Sequence, residues 1–284
     1  MVFTVYTPTQ VFINTENSGI IISYQNMSNP KIVSCSPAHS ETICLLGKQD
    51  LIVGRTTYCN YPQELLKDKQ IIGSWIKLNY EEIERLKPDL IITNNIVQEK
   101  IAISLREKGY KVYHSDPLTL EDIYIDIIEI GKVVNAEAEA KKLIERMKKD
   151  FLNIQRNIPK NQNKPKVYIE EWHDPPTVSG NWIPELVEIA GGDYGLIQQG
   201  KRSIPISVDK LFEYNPEKII ISWCGFGEKV DIIEVLNRSG WNLLSAIKNK
   251  EVTIIDDSLL NRPGPRIVNG TKKLQEIFFS KVPA

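Results

Sequence analysis

At 284 residues the chain is long enough for one large domain or two modest ones, each able to bury its own core. Its 42% hydrophobic and 25% charged residues exclude general disorder, and a net charge of −1 with both signs interspersed excludes the one-faced basic footprint of a nucleic-acid binder. No apolar run approaches the roughly 18 residues of a membrane span.

The first thirty residues carry alternating segments ("TVYT", "VFINT", "GIIISY") that predict an added hairpin. They show no basic start followed by an apolar run, so neither a secretion signal nor a lipid-anchor motif is read there. From Lys31 the pattern is one of strands alternating with helices. Strands are expected at Lys31–Cys35, Leu51–Arg55, Asp89–Thr93 and Lys111–His114. Ser36-Pro37 starts a helix that stops at Gly47, and a second runs over Val97–Lys108 before Gly109. This alternation predicts a parallel sheet covered on both faces.

Residues 120–156 contain no proline and read as one long helix, bent near Gly131 and Asn135, before "NIPKNQNKP" breaks it. Strands then return at Lys166–Glu170, Lys218–Ser222 and Val252–Asp256, with a last helix over Pro265–Lys281. "NYEEIERLKPDLIITN" (79–94) and "SVDKLFEYNPEKIIIS" (207–222) align without gaps in cap, acid, proline and Ile-Ile. The expected architecture is therefore α/β, with two Rossmann-like lobes of parallel-type sheet joined by one long helix. The expected segments are a 1–30 extension, a 31–117 lobe, a 118–160 linking helix and a 161–284 lobe. A ligand cleft is expected between the lobes, at the carboxyl ends of the strands.

Loops at those strand ends hold Trp75, Trp172 and Trp223 with Tyr58, Tyr61, His39, His173 and Arg262, the composition of an aromatic-walled cleft. No G-x-S-x-G, P-loop or H-E-x-x-H is present, so no catalytic residue is named. A metal reading would need His39 and His173 to converge with Glu170, Glu171 or Asp256. A metal-dependent enzyme or metal carrier on His39 and His173 stays open as the alternative. The cysteines (Cys35, Cys44, Cys59, Cys224) lack C-x-x-C or zinc spacing, so free buried thiols are expected, with a Cys35–Cys59 bridge left open.

The motifs "KIVSCSPAHSETICLLG", "YCNYP", "GSWIKLNYEEIERLKPDLIIT", "DPPTVSG" and "NRPGPRIV" resemble the helix-linked (class III) substrate-binding proteins of ABC importers. Within that class they fit the branch that includes the vitamin B12 (cobalamin) binding proteins. The resemblance runs from about Lys31 to the end. It implies a monomeric, non-enzymatic protein acting outside the cytoplasm, with cobalamin or another corrinoid as bound ligand and no resident metal or cofactor. The implied partners are the transporter's membrane subunits. Tyr58, Trp75, Glu171, Trp172, His173, Trp223 and Arg262 are the implied ligand contacts, Glu171 standing where the family has an aromatic. Glu81 and Asp209, one column of the internal echo, are the implied transporter-docking acids. Asn94 replaces a further family aromatic, and another is lost among Arg202, Ser203 and Ile204. Ferric siderophores and haem are the alternative ligands. Siderophore sites favour several cations, whereas these loops offer only Arg55, Arg262 and Arg202, which favours a near-neutral ligand.

Overall fold

The computed structural model describes residues 28–279, so the expected N-terminal hairpin lies outside the described residues. Two compact units emerge. One comprises the chain up to Pro117 together with Ile125–Ala140, and the other comprises Leu118–Tyr124 together with the chain from Lys141 onward. The stretch 118–160 is thus shared between the units rather than standing apart as a linker.

In chain order the first unit contains β1 (Ile32–Ser34), α1 (Pro37–Leu45), β2 (Ile52–Arg55), α2 (Gln63–Leu66), β3 (Gln70–Ile71), α3 (Tyr80–Leu86), β4 (Leu90–Asn94), α4 (Glu99–Glu107) and β5 (Val112–Ser115). The sheet is wholly parallel, in the order β3-β2-β1-β4-β5. β1 and β4 at its centre are buried along their whole length, as strands covered on both faces must be. Ser36 caps α1 by accepting from the His39 amide, with Pro37 in the first turn.

The single helix expected over 120–156 is two, α5 (Leu120–Val133) and α6 (Glu137–Arg156). Asn135, at φ 53°, adopts the left-handed conformation that ends a helix. Gly131 lies inside α5, where a Cβ would stand 2.6 Å from the Ala140 methyl.

His39, a candidate metal or catalytic residue by sequence, is structural instead. It is 2% exposed, and both ring nitrogens are occupied. Nδ1 lies 2.6 Å from Ser36 Oγ and Nε2 lies 2.8 Å from Asp126 Oδ2. Asp126, on α5, also accepts from Tyr113 Oη (2.5 Å) and Ser115 Oγ (2.9 Å). The serine, histidine and aspartate have the composition of a catalytic triad, yet Ser36 is fully buried and caps a helix. Their role is to fasten residues 125–140 to the first sheet.

The second unit contains β6 (Val167–His173), β7 (Pro176–Val178), α7 (Ile183–Ala190), β8 (Ile204–Pro205), α8 (Val208–Tyr214), β9 (Lys218–Ile221), α9 (Ile232–Leu236), α10 (Ser245–Lys248), β10 (Val252–Ile254) and α11 (Ile267–Phe279). Its sheet order is β10-β9-β6-β7-β8. The first three strands are parallel, whereas β7 and β8 add antiparallel on one edge. These two short strands carry prolines and escape a periodicity reading. The internal echo is realised in three dimensions. α3 and α8 have seven residues each, are capped by Asn79 and Ser207, and end in left-handed Lys87 and Asn215.

All four cysteines are free, Cys59 Sγ resting 3.4 Å from the Ser34 carbonyl and 3.3 Å from Thr56 Oγ1. No helix among the described residues is long and apolar enough to cross a membrane.

Burial pushes the Asp126 carboxyl up, but the His39 charge and the hydrogen bonds from His39, Tyr113 and Ser115 outweigh it and hold the carboxyl below its ordinary value. Its contribution to stability is therefore complete above the unfolded pKa and lost as pH falls through the folded one. Asp126→Asn is expected to cost about 3 kcal/mol at pH 7, as loss of one member of a buried pair does. Urea unfolding at stepped pH should show the gap to wild type closing below roughly pH 4.

Candidate functional site

Each unit presents its own set of strand-end loops. In the first, Arg55 closes β2 and holds the next loop together. Its Nε donates to the Leu66 carbonyl (2.7 Å) and its Nη1 to those of Thr56 (3.3 Å) and Cys59 (3.2 Å). This loop contains the cis Tyr61–Pro62 peptide and presents Tyr58, 38% exposed. Trp75 lies beside it, ring centroids 6.5 Å apart. The turn carrying Trp75 depends on Gly73, whose φ of 127° and 2.2 Å Cβ approach to the Lys77 carbonyl admit no side chain. Buried Gln98 ties three loops at once. It donates to the carbonyls of Cys35 (3.1 Å) and Trp75 (2.7 Å) and accepts from the Asn94 amide (2.8 Å). Asn94 is itself buried, bonded to Ser115, so this position braces the loops and is not a ring facing ligand.

In the second unit, β6 runs on to His173, so "EEWHDPP" is not the loop the sequence predicts but half of a hairpin closed by Asp174 and cis Pro175. A register shift between Glu170 and Trp172 makes Glu171 the extra residue of a bulge. The bulge sorts three consecutive side chains. Glu170 is fully buried, Glu171 turns toward Ser203, whose Oγ donates to it at 2.5 Å, and Trp172 is 41% exposed.

Glu170, a candidate ligand for a metal by sequence, has its carboxylate fully engaged. It receives Trp223 Nε1 (2.8 Å), Tyr168 Oη (2.8 Å) and Arg238 Nη1 on both oxygens (2.8 and 2.6 Å). Arg238 also donates to the His173 carbonyl (3.2 Å) and stacks over Trp241, 4.6 Å from the ring centre. Trp223 is only 1% exposed, so it backs the wall rather than facing out as the sequence predicts; its indole N–H is drawn inward by Glu170. The His173 ring packs 5.0 Å from Trp172, 4.9 Å from Trp223 and 5.6 Å from Phe226.

Phe226, 37% exposed, is the wall member that sequence reasoning left unnamed within "SWCGFG". Its turn is held by Asp257, which accepts from the amides of Gly225 (3.0 Å) and Gly227 (2.8 Å). The paired glycines around an aromatic were the available signal. Arg262 is half-buried in the 260–266 loop, and Asn261 Nδ2 beside it donates to the Ser222 carbonyl (2.6 Å). Asn181 does not cap α7; Trp182 holds that place, buried, its indole N–H donating to the Leu260 carbonyl (2.8 Å). Glu81 and Asp209 are both exposed, each second in its helix.

The profile described as Periplasmic binding protein matches residues 32–259. YvrC of Bacillus subtilis, an uncharacterized ABC transporter substrate-binding lipoprotein, is 29% identical over 259 residues, spanning 88% of this chain and 80% of its own. A vitamin B12-binding protein of Photorhabdus laumondii is 27% identical and spans 86% of each chain. Among solved structures, Staphylococcus aureus IsdE complexed with heme matches with a TM-score of 0.76. It is 24% identical over 88% of this chain and 99% of its own, a likeness of fold.

Burial raises the Glu171 carboxyl above its ordinary value, only partly opposed by the Ser203 hydrogen bond. A group that holds its proton more tightly when folded loses stability as pH rises from its unfolded pKa through its folded one. Scanning calorimetry of Glu171→Gln should therefore show a higher midpoint than wild type at pH 7.5 and no difference near roughly pH 3.

Proposed function

The chain belongs to the periplasmic binding protein family, and on that premise we propose that its cargo is a corrinoid, cobalamin or a close relative. At the broader level it is the substrate-binding component of an ABC importer, of the class that serves vitamin B12, haem and iron siderophores. Such proteins act outside the cytoplasm, bind a small molecule and deliver it to membrane subunits; they transport and do not catalyse.

One observation carries the corrinoid reading. The strand-end loops expose rings, and two guanidinium groups at their base are drawn inward, Arg55 onto three carbonyls and Arg238 onto Glu170. Large apolar rings beside guanidinium groups already engaged suit a broad, near-neutral macrocycle better than a polyanionic iron complex. The kinship with a vitamin B12-binding protein supports the same choice. Tyr58, Trp75, Trp172, His173 and Phe226 are the proposed ligand contacts, with Arg262 as a polar one. Haem is the second reading, favoured by the exposed edge of His173.

Isothermal calorimetry should give micromolar or tighter binding of cyanocobalamin or cobinamide. Trp172→Ala should weaken it about tenfold, the worth of one stacked ring. No heat with either compound would remove the corrinoid assignment.

Glu81 and Asp209 are proposed to dock the transporter. They occupy one position of a duplicated unit, and paired rim charges set register more than affinity. Reversing both charges should abolish uptake of labelled ligand by cells while calorimetric affinity stays unchanged. Uptake at the wild-type rate would show that docking lies elsewhere.

A further inference from the structure

We propose that His173 is an axial ligand to the metal at the centre of the bound macrocycle, an inference that rests on the corrinoid-or-haem reading above. Its setting is that of a pre-oriented donor. His173 ends β6 in register with Pro176, and its carbonyl is held by Arg238 Nη2 at 3.2 Å. The imidazole is fixed by three rings and is 29% exposed.

The two ring nitrogens differ. Nδ1 faces Glu234 Oε1 on α9 at 3.6 Å, a charge contact longer than a hydrogen bond. Nε2 has no hydrogen-bond partner among the described residues. Metal-bound imidazoles usually turn their second nitrogen to a carboxylate, which fixes the tautomer and raises the basicity of the donor. A proton on Nδ1 beside Glu234 leaves the Nε2 lone pair for a metal.

The surroundings fit a metal that arrives already chelated. Among the described residues there is no cluster of three or more histidine, cysteine or carboxylate groups able to hold a bare ion. A corrin or porphyrin supplies four equatorial nitrogens and leaves one or two axial positions, so a single donor suffices. Trp172 and Phe226 flank the imidazole as exposed apolar surface, the partner that the rest of a flat macrocycle requires. Two other candidate donors among the described residues are less available. Both His39 nitrogens are occupied, and burial raises the Cys224 thiol, keeping it protonated.

With aquocobalamin, the Nε2 lone pair forms a Co–N bond as the Co–OH2 bond breaks. One water leaves, and cobalt remains Co(III). Ferric haem takes the same donor at an axial position, with no electron transferred.

The test is absorbance spectroscopy of the full chain with aquocobalamin and, separately, with ferric haem, each desalted to remove free ligand. Expected is a bound spectrum displaced from that of the free compound, as for added imidazole, with ferric haem giving the high-spin electron paramagnetic resonance signal of a complex with one imidazole. His173→Ala should lose the displacement and bind at least fivefold more weakly, and millimolar imidazole should restore the displacement. Trp172→Ala should bind more weakly yet keep it. Cyanocobalamin, whose cyanide is not displaced, should lose less affinity on His173→Ala than aquocobalamin does. Tight binding by wild type with an unaltered aquocobalamin and haem spectrum, or a displacement that survives His173→Ala, would overturn the inference while leaving the ligand class standing. Failure of wild type to bind any of the three compounds would overturn the ligand class and this inference with it.

Discussion

The second unit is organised around one buried charge. Glu170 lies mid-strand in β6 with no exposed surface, and a carboxylate there is tolerated only if every lone pair is met. Arg238, Trp223 and Tyr168 meet them. Because Arg238 also reaches the His173 carbonyl and stacks on Trp241, the ion pair sets the depth of Trp223 and the position of the hairpin end. Loss of either partner would leave an uncompensated interior charge, a cost of about 3–5 kcal/mol in comparable pairs. The wall of rings is thus a surface consequence of an interior electrostatic requirement.

The first unit braces its loops by side chains that bond to backbone groups. Gln98 spans three loops and Arg55 gathers three carbonyls, so polar groups otherwise suited to a ligand are consumed in holding loops in place. In both units, then, the strand-end loops are braced from beneath and present mainly rings outward. A rigid, largely pre-formed surface of this kind carries little ordering cost on binding.

Much of the fold was legible in the sequence because its signals are local. Ile-rich runs, Ser36-Pro37, Gly47 and Gly109 mark elements by periodicity and capping alone, and the echo at 79–94 and 207–222 revealed a repeated unit directly. What escaped detection depends on distant partners. β7 and β8 are too short and proline-rich to show alternation, yet they pair once β6 lies beside them. The break at Asn135 needs a left-handed residue that helix propensity alone does not demand. His39 and Glu170 look like metal or catalytic groups until Asp126 and Arg238, 87 and 68 positions away, are brought to them. Trp223 reads as a cleft residue by position, and only its bond to Glu170 shows which way the indole faces.

The division of the chain has a consequence for handling the protein. The sequence passes from one unit to the other at 117/118, 124/125 and 140/141. Each unit is therefore discontinuous, and no single truncation yields either one whole. A fragment ending at Pro117 would lack Asp126 and leave His39 buried without its carboxylate, whereas one beginning at Lys141 would lack the Leu120 amide that donates to Glu185. No single cut divides the halves, and isolating one calls for a fused or permuted chain.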